Sequence, residues 1–474
     1  MKIKPLTAML AALTVTACGG GAENNVADIA AIAQSQGTNN TTVAPPQPQL
    51  EELIKLASPD GTLSAFIIPD SDQYDKIPQD PLNPINASKV ELGKMLYHDT
   101  GLTMPGLTGR PGTWSCASCH QAGAGFKSGN AQGIGDGGEG YGWRGEMRMP
   151  AFNLADQTLV DHQPNSSPTI LNVAFQDVML WNGQFGNSQG SVNATVDPEK
   201  LLTAGTPKTV NERGFSGIES QAIAGTIVHR MWMGESSLLT TNDQYKQLVS
   251  KAVEDSPDFE ERTLHDIAAL SVAAFERTIL SNQAPFQRWL KGDKEAMSEE
   301  EIAGAKVFFG KGKCAGCHSG PALSSPVNAT ADQMFMAIGF SDLDAYNVIV
   351  GEVKDADRLG RGGFTGDEQD NYKFKIPPLY NIVQSDFLGH GNSFNNVREV
   401  VSYKNYAVTQ KHIDNLDPRF VPLNLTEDEI NWLTSFLEVS LTDPDLKRYE
   451  PATLPSGKCR INDDYSSRID LGCE

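Results

Sequence analysis

The feature that most constrains this chain is a five-residue pattern that occurs twice, as Cys-Ala-Ser-Cys-His at 116–120 and Cys-Ala-Gly-Cys-His at 314–318. Cys-x-x-Cys-His is the attachment motif of a c-type haem. Two thiols separated by two residues reach the two vinyl groups of one porphyrin, and the histidine that follows places an imidazole nitrogen on the iron. The sequence therefore predicts two covalently bound haems. The residues that would hold them are Cys116, Cys119, His120, Cys314, Cys317 and His318.

Zinc is the alternative occupant, because paired Cys-x-x-Cys runs also build zinc ribbons. Ribbon pairs usually lie within a few tens of residues of one another, whereas these two motifs lie almost two hundred residues apart. Zinc also gives no reason for a histidine to follow the second cysteine in both motifs. Haem is therefore the favoured interpretation at both positions.

The chain is strongly acidic. It has 474 residues, a formal net charge of −21 and a pI near 4.8. That length suffices for two or three domains. The acidity argues against nucleic acid as a partner and favours a basic protein, and haem propionates would add further negative charge. The other explanation is that the acidity keeps an exported protein soluble, and composition leaves both open.

The N-terminus has the features of a bacterial lipoprotein signal. Two lysines precede an apolar run, and small residues precede Cys18. Such a signal is cleaved before the cysteine, which then carries the lipid, so residues 1–17 are the predicted signal peptide. The predicted location is the periplasm, with a lipid anchor to a membrane, most simply the outer membrane. Residues 18–62 are predicted to form a disordered tether, because Gly, Asn, Thr, Gln and Pro dominate most of them.

Helical patterns dominate the rest of the chain. The segment 86–97 has apolar residues at helical spacing, with Ser88 as the predicted N-cap, and it precedes the first motif. The segment 298–309 repeats this plan before the second motif, starting from a capping box. This duplication predicts a mostly α fold with two cytochrome c-like domains, at 63–290 and 291–474. The other predicted helices are 218–234, 264–280 and 426–437.

Two cysteines, Cys459 and Cys473, remain after the haem and lipid positions are assigned. In an oxidising periplasm these two residues are expected to pair. Closing so short a loop contributes on the order of 3 kcal/mol of stability. The alternative is a pair of free thiols in a frayed tail.

With the haem motifs placed, the chain from about 81 to 444 resembles the bacterial dihaem cytochrome c peroxidase and MauG family. Four separate runs carry the resemblance in the order the family has them: Val90–Tyr97, Ser167–Asn172, Trp181–Gln184 and Phe374–Asn381. The resemblance implies two cytochrome c-like domains with hydrogen peroxide reduced at the first haem. It also implies that the second haem transfers electrons and that a tryptophan lies between the two.

Trp181 matches the bridging tryptophan of the family, although a buried core aromatic would have the same sequence context. The resemblance also implies that Tyr403 is the sixth ligand of the second haem, where peroxidases usually have methionine and MauG-type members have tyrosine. A phenolate is a hard anionic donor that lowers the potential of the iron and favours stored ferryl equivalents. The alternative ligands are Met334 and Met336. His390 is interpreted as a structural loop histidine.

The region above the first haem departs from the family pattern. Gln221 matches a family glutamine, but the glutamate expected ten residues later is Met231. His229 is the nearest candidate for the acid–base group, because an imidazole can take a proton from peroxide and return it to the leaving oxygen. Arg230 could stabilise developing negative charge, but adjacent helical residues do not face the same way. A polar residue on an amphipathic helix is the alternative interpretation of His229.

Two further expectations come from the resemblance. His162 lies in the loop where resting members carry a displaceable haem ligand, and it is either such a ligand or a surface histidine. Family members also bind calcium between their domains. The matching positions fall at Asn165 or Ser166, Gln384 and Asp386, and oxygen ligands suit calcium.

The sequence thus predicts a lipid-anchored dihaem peroxidase with Trp181, Gln221 and His229 as catalytic residues. The reductant would be a basic cytochrome c or another small redox protein. Two alternatives stay open: a MauG-like oxidase of tryptophan or tyrosine residues in a partner protein, and a non-catalytic dihaem electron carrier.

Overall fold

Helices supply most of the regular structure, which confirms the predicted mostly α fold. The computed structural model describes residues 49–104, 106–186, 214–326, 329–344 and 348–473. The predicted signal peptide, Cys18 and most of the predicted tether lie outside these residues. The helices are α1 Leu50–Ala57, α2 Ala87–His98, α3 Gly217–Val228, α4 Leu238–Thr241, α5 Asp243–Glu254, α6 Leu264–Arg277, α7 Pro285–Leu290, α8 Glu299–Phe309, α9 Ala331–Met334, α10 Asp355–Arg358, α11 Arg361–Thr365, α12 Val397–Tyr406, α13 Glu427–Ser435 and α14 Tyr465–Leu471.

Strands are few and short in the described chain. Two antiparallel ribbons of two residues per strand pair β1 Gly138–Glu139 with β2 Met149–Pro150, and β3 Phe335–Met336 with β4 Phe374–Lys375. Their registers place Gly138 opposite Pro150 and Phe335 opposite Lys375. These ribbons tie loops together and do not form a core sheet.

The helix before the first motif, α2, packs along α6. The cap of α2 is Asn86, whose side chain accepts from the Lys89 N–H, so the prediction of Ser88 was wrong by two residues. Ser88 instead donates to the Asn86 side chain and so supports the cap. A Cβ on Gly93 would lie 1.9 Å from the Ser271 carbonyl, so only glycine permits this close approach of the two helices.

The helix before the second motif, α8, repeats the arrangement against α13. Both begin at the predicted caps, Ser298 and Thr426, whose side chains accept from backbone N–H groups in the first turn. A Cβ on Gly304 would lie 1.9 Å from the Trp432 carbonyl. Both helix pairs therefore use a glycine within a helix to bring a second helix close.

The predicted helix 218–234 is too long at its C-terminal end. Helix α3 ends at Val228, and Arg230 takes a left-handed conformation with φ 58°. The chain then turns, and the Trp232 N–H donates to the Leu102 carbonyl. Tertiary contact with the loop after α2 ends the helix, although the apolar pattern continues.

The predicted tether is also too long, because its last part folds. Leu50 and Ile54 are buried on helix α1, which packs on α8 of the C-terminal half. These residues form one apolar stripe and can bury it there.

The C-terminal tail packs back on the first motif. A disulfide joins Cys459 and Cys473, as predicted, with their Cα atoms 5.5 Å apart. The hydroxyls of Ser115 and Ser118 both donate to the carbonyl of Ile461, at 2.9 and 3.0 Å. The tail is therefore part of the structure that supports the first haem motif.

Residues 48–474 form a single unit by their contacts, and the division at residue 290 stays a prediction. Among the described residues, no helix is both long enough and apolar enough to cross a bilayer.

Candidate functional site

The first motif folds as a tight turn that leaves one ring nitrogen of its histidine available to bind iron. Cys116–Ser118 form a 3-10 turn, and the His120 N–H donates to the Cys116 carbonyl at 3.1 Å. Nδ1 of His120 lies 3.3 Å from the Phe126 carbonyl, so this nitrogen carries the proton and Nε2 can bind iron. Burial lowers the pKa of His120 to about 4, which keeps the imidazole neutral, as a metal ligand must be.

The second motif repeats this geometry. Cys314–Gly316 form the turn, and the His318 N–H donates to the Cys314 carbonyl at 2.8 Å. Nδ1 of His318 lies 3.1 Å from the Leu323 carbonyl. Burial lowers the pKa of His318 to about 4 as well. The two motifs thus select the same tautomer by the same backbone contact.

The residues of both motifs fit a c-type haem. None of their four cysteines is in a disulfide. Burial raises the pKa of Cys116, Cys119 and Cys314 to about 12, so these thiols are protonated at neutral pH. In the described parts of the chain, no group of three or more His, Cys, Asp or Glu side chains is arranged to hold a metal ion.

A cavity of about 310 Å³ lies beside the first motif. It brings together the three residues predicted to be catalytic, Trp181, Gln221 and His229, with Cys116, Cys119 and His120. Its walls also include Asn165 and His162, and His162 lies under the backbone of Gly351. The cavity is therefore the place where the sequence-predicted chemistry converges.

His229 is held by a carboxylate that sequence reasoning missed. Its Nδ1 lies 2.8 Å from Oδ2 of Asp161, and both residues line the cavity. Burial would raise the pKa of Asp161, but the neighbouring His229 and the charge of Arg230 outweigh it and hold the pKa below its ordinary value. Trp114 Nε1 donates to the His229 carbonyl at 2.9 Å and fixes the backbone. The ring is thus oriented with Nε2 on the side away from Asp161.

Arg230 does not share this orientation, which agrees with the expectation for adjacent residues. Its Nη1 lies 2.5 Å from a carboxylate oxygen of Asp136 and donates to the Leu159 carbonyl at 3.0 Å. Arg230 is not among the residues that line the cavity. Met231, at the position of the family glutamate, is buried and lines the cavity as an apolar side chain.

Glu276 on α6 is a second cavity residue that the sequence did not point to. Among the described residues its carboxyl group has no hydrogen-bond partner, and burial raises its pKa to about 8, with the nearby Glu219 acting in the same direction. Arg277 opposes the shift only in part, because it is paired with Glu219 at 2.6 Å. Glu276 therefore holds a proton in the cavity at neutral pH. The only signal was an acidic residue that follows the long apolar stretch of α6.

Trp181 and His390 meet ring to ring. Their centroids are 6.3 Å apart at 69°, and His390 stacks on Phe374 at 3.5 Å. Trp181 Nε1 donates to the Ser166 carbonyl at 2.7 Å, and the Ser166 N–H donates to the His390 carbonyl at 3.0 Å. On its other side, His390 Nε2 lies 3.3 Å from Asp342. His390 is a loop histidine, as predicted, and it belongs to the surroundings of Trp181.

The chain segments that lead to the two rings have similar local structures. Asn172 and Asn381 are both left-handed, with φ 59° and 57°. The side-chain oxygen of Asn172 accepts from the Ser281 N–H at 2.9 Å, and that of Asn381 accepts from the Asp443 N–H at 3.1 Å. The duplication predicted from the motifs therefore extends to the loops that follow them.

Seven residues after each asparagine, a short bridged loop begins. The loops are Met179–Phe185 and Leu388–Phe394, each closed by a backbone hydrogen bond of 3.0 Å. Trp181 is the third residue of the first loop and His390 is the third residue of the second. The contact between the two rings is therefore where the duplicated loops meet.

Tyr403 on α12 lies in an aromatic cluster. Phe340, Phe394 and Phe420 surround it, with ring centroids 5.0–5.2 Å away. Its hydroxyl donates to the Ile338 carbonyl. Burial raises its pKa to about 12. To bind iron, Tyr403 would have to exchange this hydrogen bond for the metal.

Helix α12 lies beside the second motif. Burial raises the pKa of Cys314, and the positive charge of Lys404 opposes that rise. Burial lowers the pKa of His318, and the charge of Lys404 lowers it further. Met334, one alternative ligand, packs in a cluster with Val178. The other, Met336, is paired in the β3–β4 ribbon.

Two of the predicted calcium positions are already engaged by a cation. Arg144 Nη1 donates to the Gln384 carbonyl at 3.1 Å, and Nη2 is ion-paired with Asp386. Asn165, the third position, lines the cavity. These residues, as they are arranged, do not fit a calcium ion.

Comparisons with known proteins find dihaem peroxidases and MauG proteins as relatives. A family model described as di-haem cytochrome c peroxidase matches residues 87–295. The methylamine utilization protein MauG of Methylorubrum extorquens is 24% identical over 372 residues, which cover 78% of this chain and 83% of that protein. Cytochrome c551 peroxidase of Nitrosomonas europaea is 23% identical over 368 residues, which cover 77% and 84%. The chain is therefore similar to di-haem cytochrome c peroxidases and to MauG proteins over 77–78% of its length.

A solved structure shows the same fold. It is titled as a MauG-like protein associated with microbial copper homeostasis, and it matches with a TM-score of 0.54 at 21% identity. The match covers 80% of this chain and 95% of that one.

Proposed function

We propose that the protein is a dihaem c-type peroxidase that reduces hydrogen peroxide in the cavity beside His120. The observation that carries the proposal is the convergence of His229, Asp161 and Gln221 with His120 in that cavity. Two cytochrome c-like modules would each hold one haem, and the C-terminal one would deliver electrons. The net reaction consumes one peroxide, two electrons and two protons and yields two waters.

The residues of this chain would manage the protons. A haem bound by His120 supplies the electrons and a place for peroxide to bind. Nε2 of His229 takes a proton from one peroxide oxygen and returns it to the other as the O–O bond breaks. Asp161 keeps the Nδ1 proton in place and stabilises the imidazolium that forms. Gln221 has an amide that can donate to the bound oxygen.

Electrons would pass between the modules by way of Trp181. Its indole meets His390 where the duplicated loops touch, and an intervening aromatic divides one long electron transfer into two shorter ones. Tyr403 would be the sixth ligand on the second iron, where an anionic oxygen lowers the potential.

The reductant would be a basic cytochrome c or another small redox protein, because the chain carries a net charge of −21. Periplasmic export and a lipid on Cys18 are proposed from the N-terminal sequence.

A second candidate is a MauG-like oxidase of tryptophan or tyrosine residues in a partner protein. It is favoured by Tyr403, which is enclosed by aromatic rings on the side of the second motif. Two relatives are named methylamine utilization protein MauG.

Rapid mixing of the fully oxidised holoprotein with hydrogen peroxide, with and without reduced cytochrome c, tests these proposals. A peroxidase oxidises cytochrome c in multiple turnovers, and Trp181→Phe slows this while Trp143→Phe, at an exposed residue, leaves it unchanged. A MauG-like oxidase shows spectral changes at both haems, slow turnover with cytochrome c, and oxidised residues in a partner by mass spectrometry. No reaction with peroxide, even after half-reduction, would leave only the electron carrier.

A further inference from the structure

Two cations from the glycine-rich segment 123–145 hold a loop of the C-terminal half. Nζ of Lys127 donates to the Phe387 carbonyl at 2.6 Å. The guanidinium of Arg144 donates to the Gln384 carbonyl at 3.1 Å and pairs with the carboxylate of Asp386. The loop 384–387 thus receives two positive charges from residues about 240–260 positions earlier in the chain.

These charges occupy three of the oxygens that the loop could offer to a divalent cation. Calcium binds carboxylate and carbonyl oxygens, and the backbone carbonyls of Gln384 and Phe387 and one carboxylate oxygen of Asp386 already accept from a cation. Within the described chain, Lys127 makes no ion pair with a carboxylate, and burial lowers its pKa only to about 8, so it is charged at neutral pH. A Ca²⁺ ion here would meet two positive charges, and the loop offers a single carboxylate, Asp386, to offset them.

The loop matters because it leads to the contact between the modules. Three residues after Phe387 comes His390, whose carbonyl accepts from the Ser166 N–H. The Ser166 carbonyl in turn accepts from Trp181 Nε1. Whatever fixes residues 384–387 therefore helps to fix the position of Trp181 against His390.

We propose that the Lys127 ammonium and the Arg144 guanidinium take the place of a bound calcium ion in this chain, and that they hold the loop 384–387 against the N-terminal half. The loop is consequently ordered at any calcium concentration, and chelators do not affect it.

The test uses the holoprotein and readouts that do not depend on peroxide turnover. Calorimetric titration with calcium chloride should show no binding, and the unfolding midpoint should be the same in calcium and in EDTA. Hydrogen exchange of a peptide spanning 381–392 should also be unaffected by either. In Lys127→Met, exchange of that peptide should rise on the order of tenfold, since a buried hydrogen bond is lost.

Lys246→Met is the matched control, because that lysine is exposed and pairs with Asp243, far from the loop in sequence. The exchange pattern of this variant at 381–392 should equal that of the wild type. Lys127→Arg keeps a cation and should retain most of the protection from exchange. This variant keeps the proposal testable if Lys127→Met folds poorly. Stoichiometric calcium binding that slows exchange at 381–392 in the wild type would overturn the proposal. So would unchanged exchange in both Lys127→Met and Arg144→Gln.

Discussion

Replacing Asp161 by asparagine tests whether the Asp161–His229 pair serves catalysis. Asparagine keeps the size of the side chain and can still accept from Nδ1 of His229, but it removes the negative charge 2.8 Å from the ring. A hydrogen bond to a charged group contributes about 1.5–3 kcal/mol. If that energy is realised mainly when the imidazolium forms, kcat falls roughly 10- to 150-fold, at about 1.4 kcal/mol per tenfold change.

Steady-state oxidation of reduced cytochrome c between pH 5 and 9 measures this effect. The acid limb of the profile should move to lower pH in Asp161→Asn, because the imidazolium loses its anionic neighbour. A merely structural role would lower the rate without moving the limb. Asp156→Asn is the control, since Asp156 is exposed and its carboxylate accepts from the nearby Thr158.

The double variant completes the design. If Asp161 acts only through His229, then adding Asp161→Asn to His229→Ala should cost nothing further. Activity of folded Asp161→Asn within threefold of the wild type, with an unshifted profile, would refute the assignment of His229 as the proton-transfer group. The threefold limit corresponds to about 0.7 kcal/mol, well below the expected loss.

Three other outcomes are expected. The contribution of Glu276 to the free energy of unfolding is fully present below its ordinary pKa near 4.5, and it is lost as pH rises through about 8. Between pH 5 and 9 the unfolding free energy of the wild type should therefore fall by roughly 1–3 kcal/mol more than that of Glu276→Gln, after allowing for solvent in the cavity. Denaturant unfolding measures this difference. Tyr403→His should change the spectrum of one haem, whereas Tyr406→Phe, on the exposed face of the same helix, should not; an unchanged spectrum removes Tyr403 as a ligand. Cys473→Ser should lower the unfolding free energy by about 3 kcal/mol, and an unaltered midpoint would show that the Cys459 disulfide contributes nothing.

The sequence was most informative where the determining interactions are local. The haem motifs are five residues long, and the caps at Ser298 and Thr426 are set within one helical turn. These features depend on neighbours along the chain, so a pattern is enough to predict them. The disorder predicted for residues 50–57 and the C-terminal end predicted for α3 were wrong because distant segments decide them: α8 in the first case and the loop after α2 in the second.

The residues around the site were predictable only in part. Trp181, Gln221 and His229 were identified through the family resemblance, and the structure brings them to one cavity. Asp161 lies 68 positions before its partner, and no local pattern connects the two. Glu276 is acidic and lines the cavity, a placement that a hydrophobic pattern does not reveal. Pairings of this kind depend on tertiary proximity, which a single sequence does not encode at fixed spacing.

The tail that packs on the first motif has a consequence for the order of events during synthesis. Ser115 and Ser118 depend on the carbonyl of Ile461, so the N-terminal half lacks part of its support until nearly the whole polypeptide has been made. At translation rates of about 5–20 residues per second, some 340 further residues take roughly 20–70 seconds. Throughout that interval the Cys116 turn lacks two of its hydrogen bonds, and a premature stop codon near the end of the message would damage the site encoded nearest its beginning.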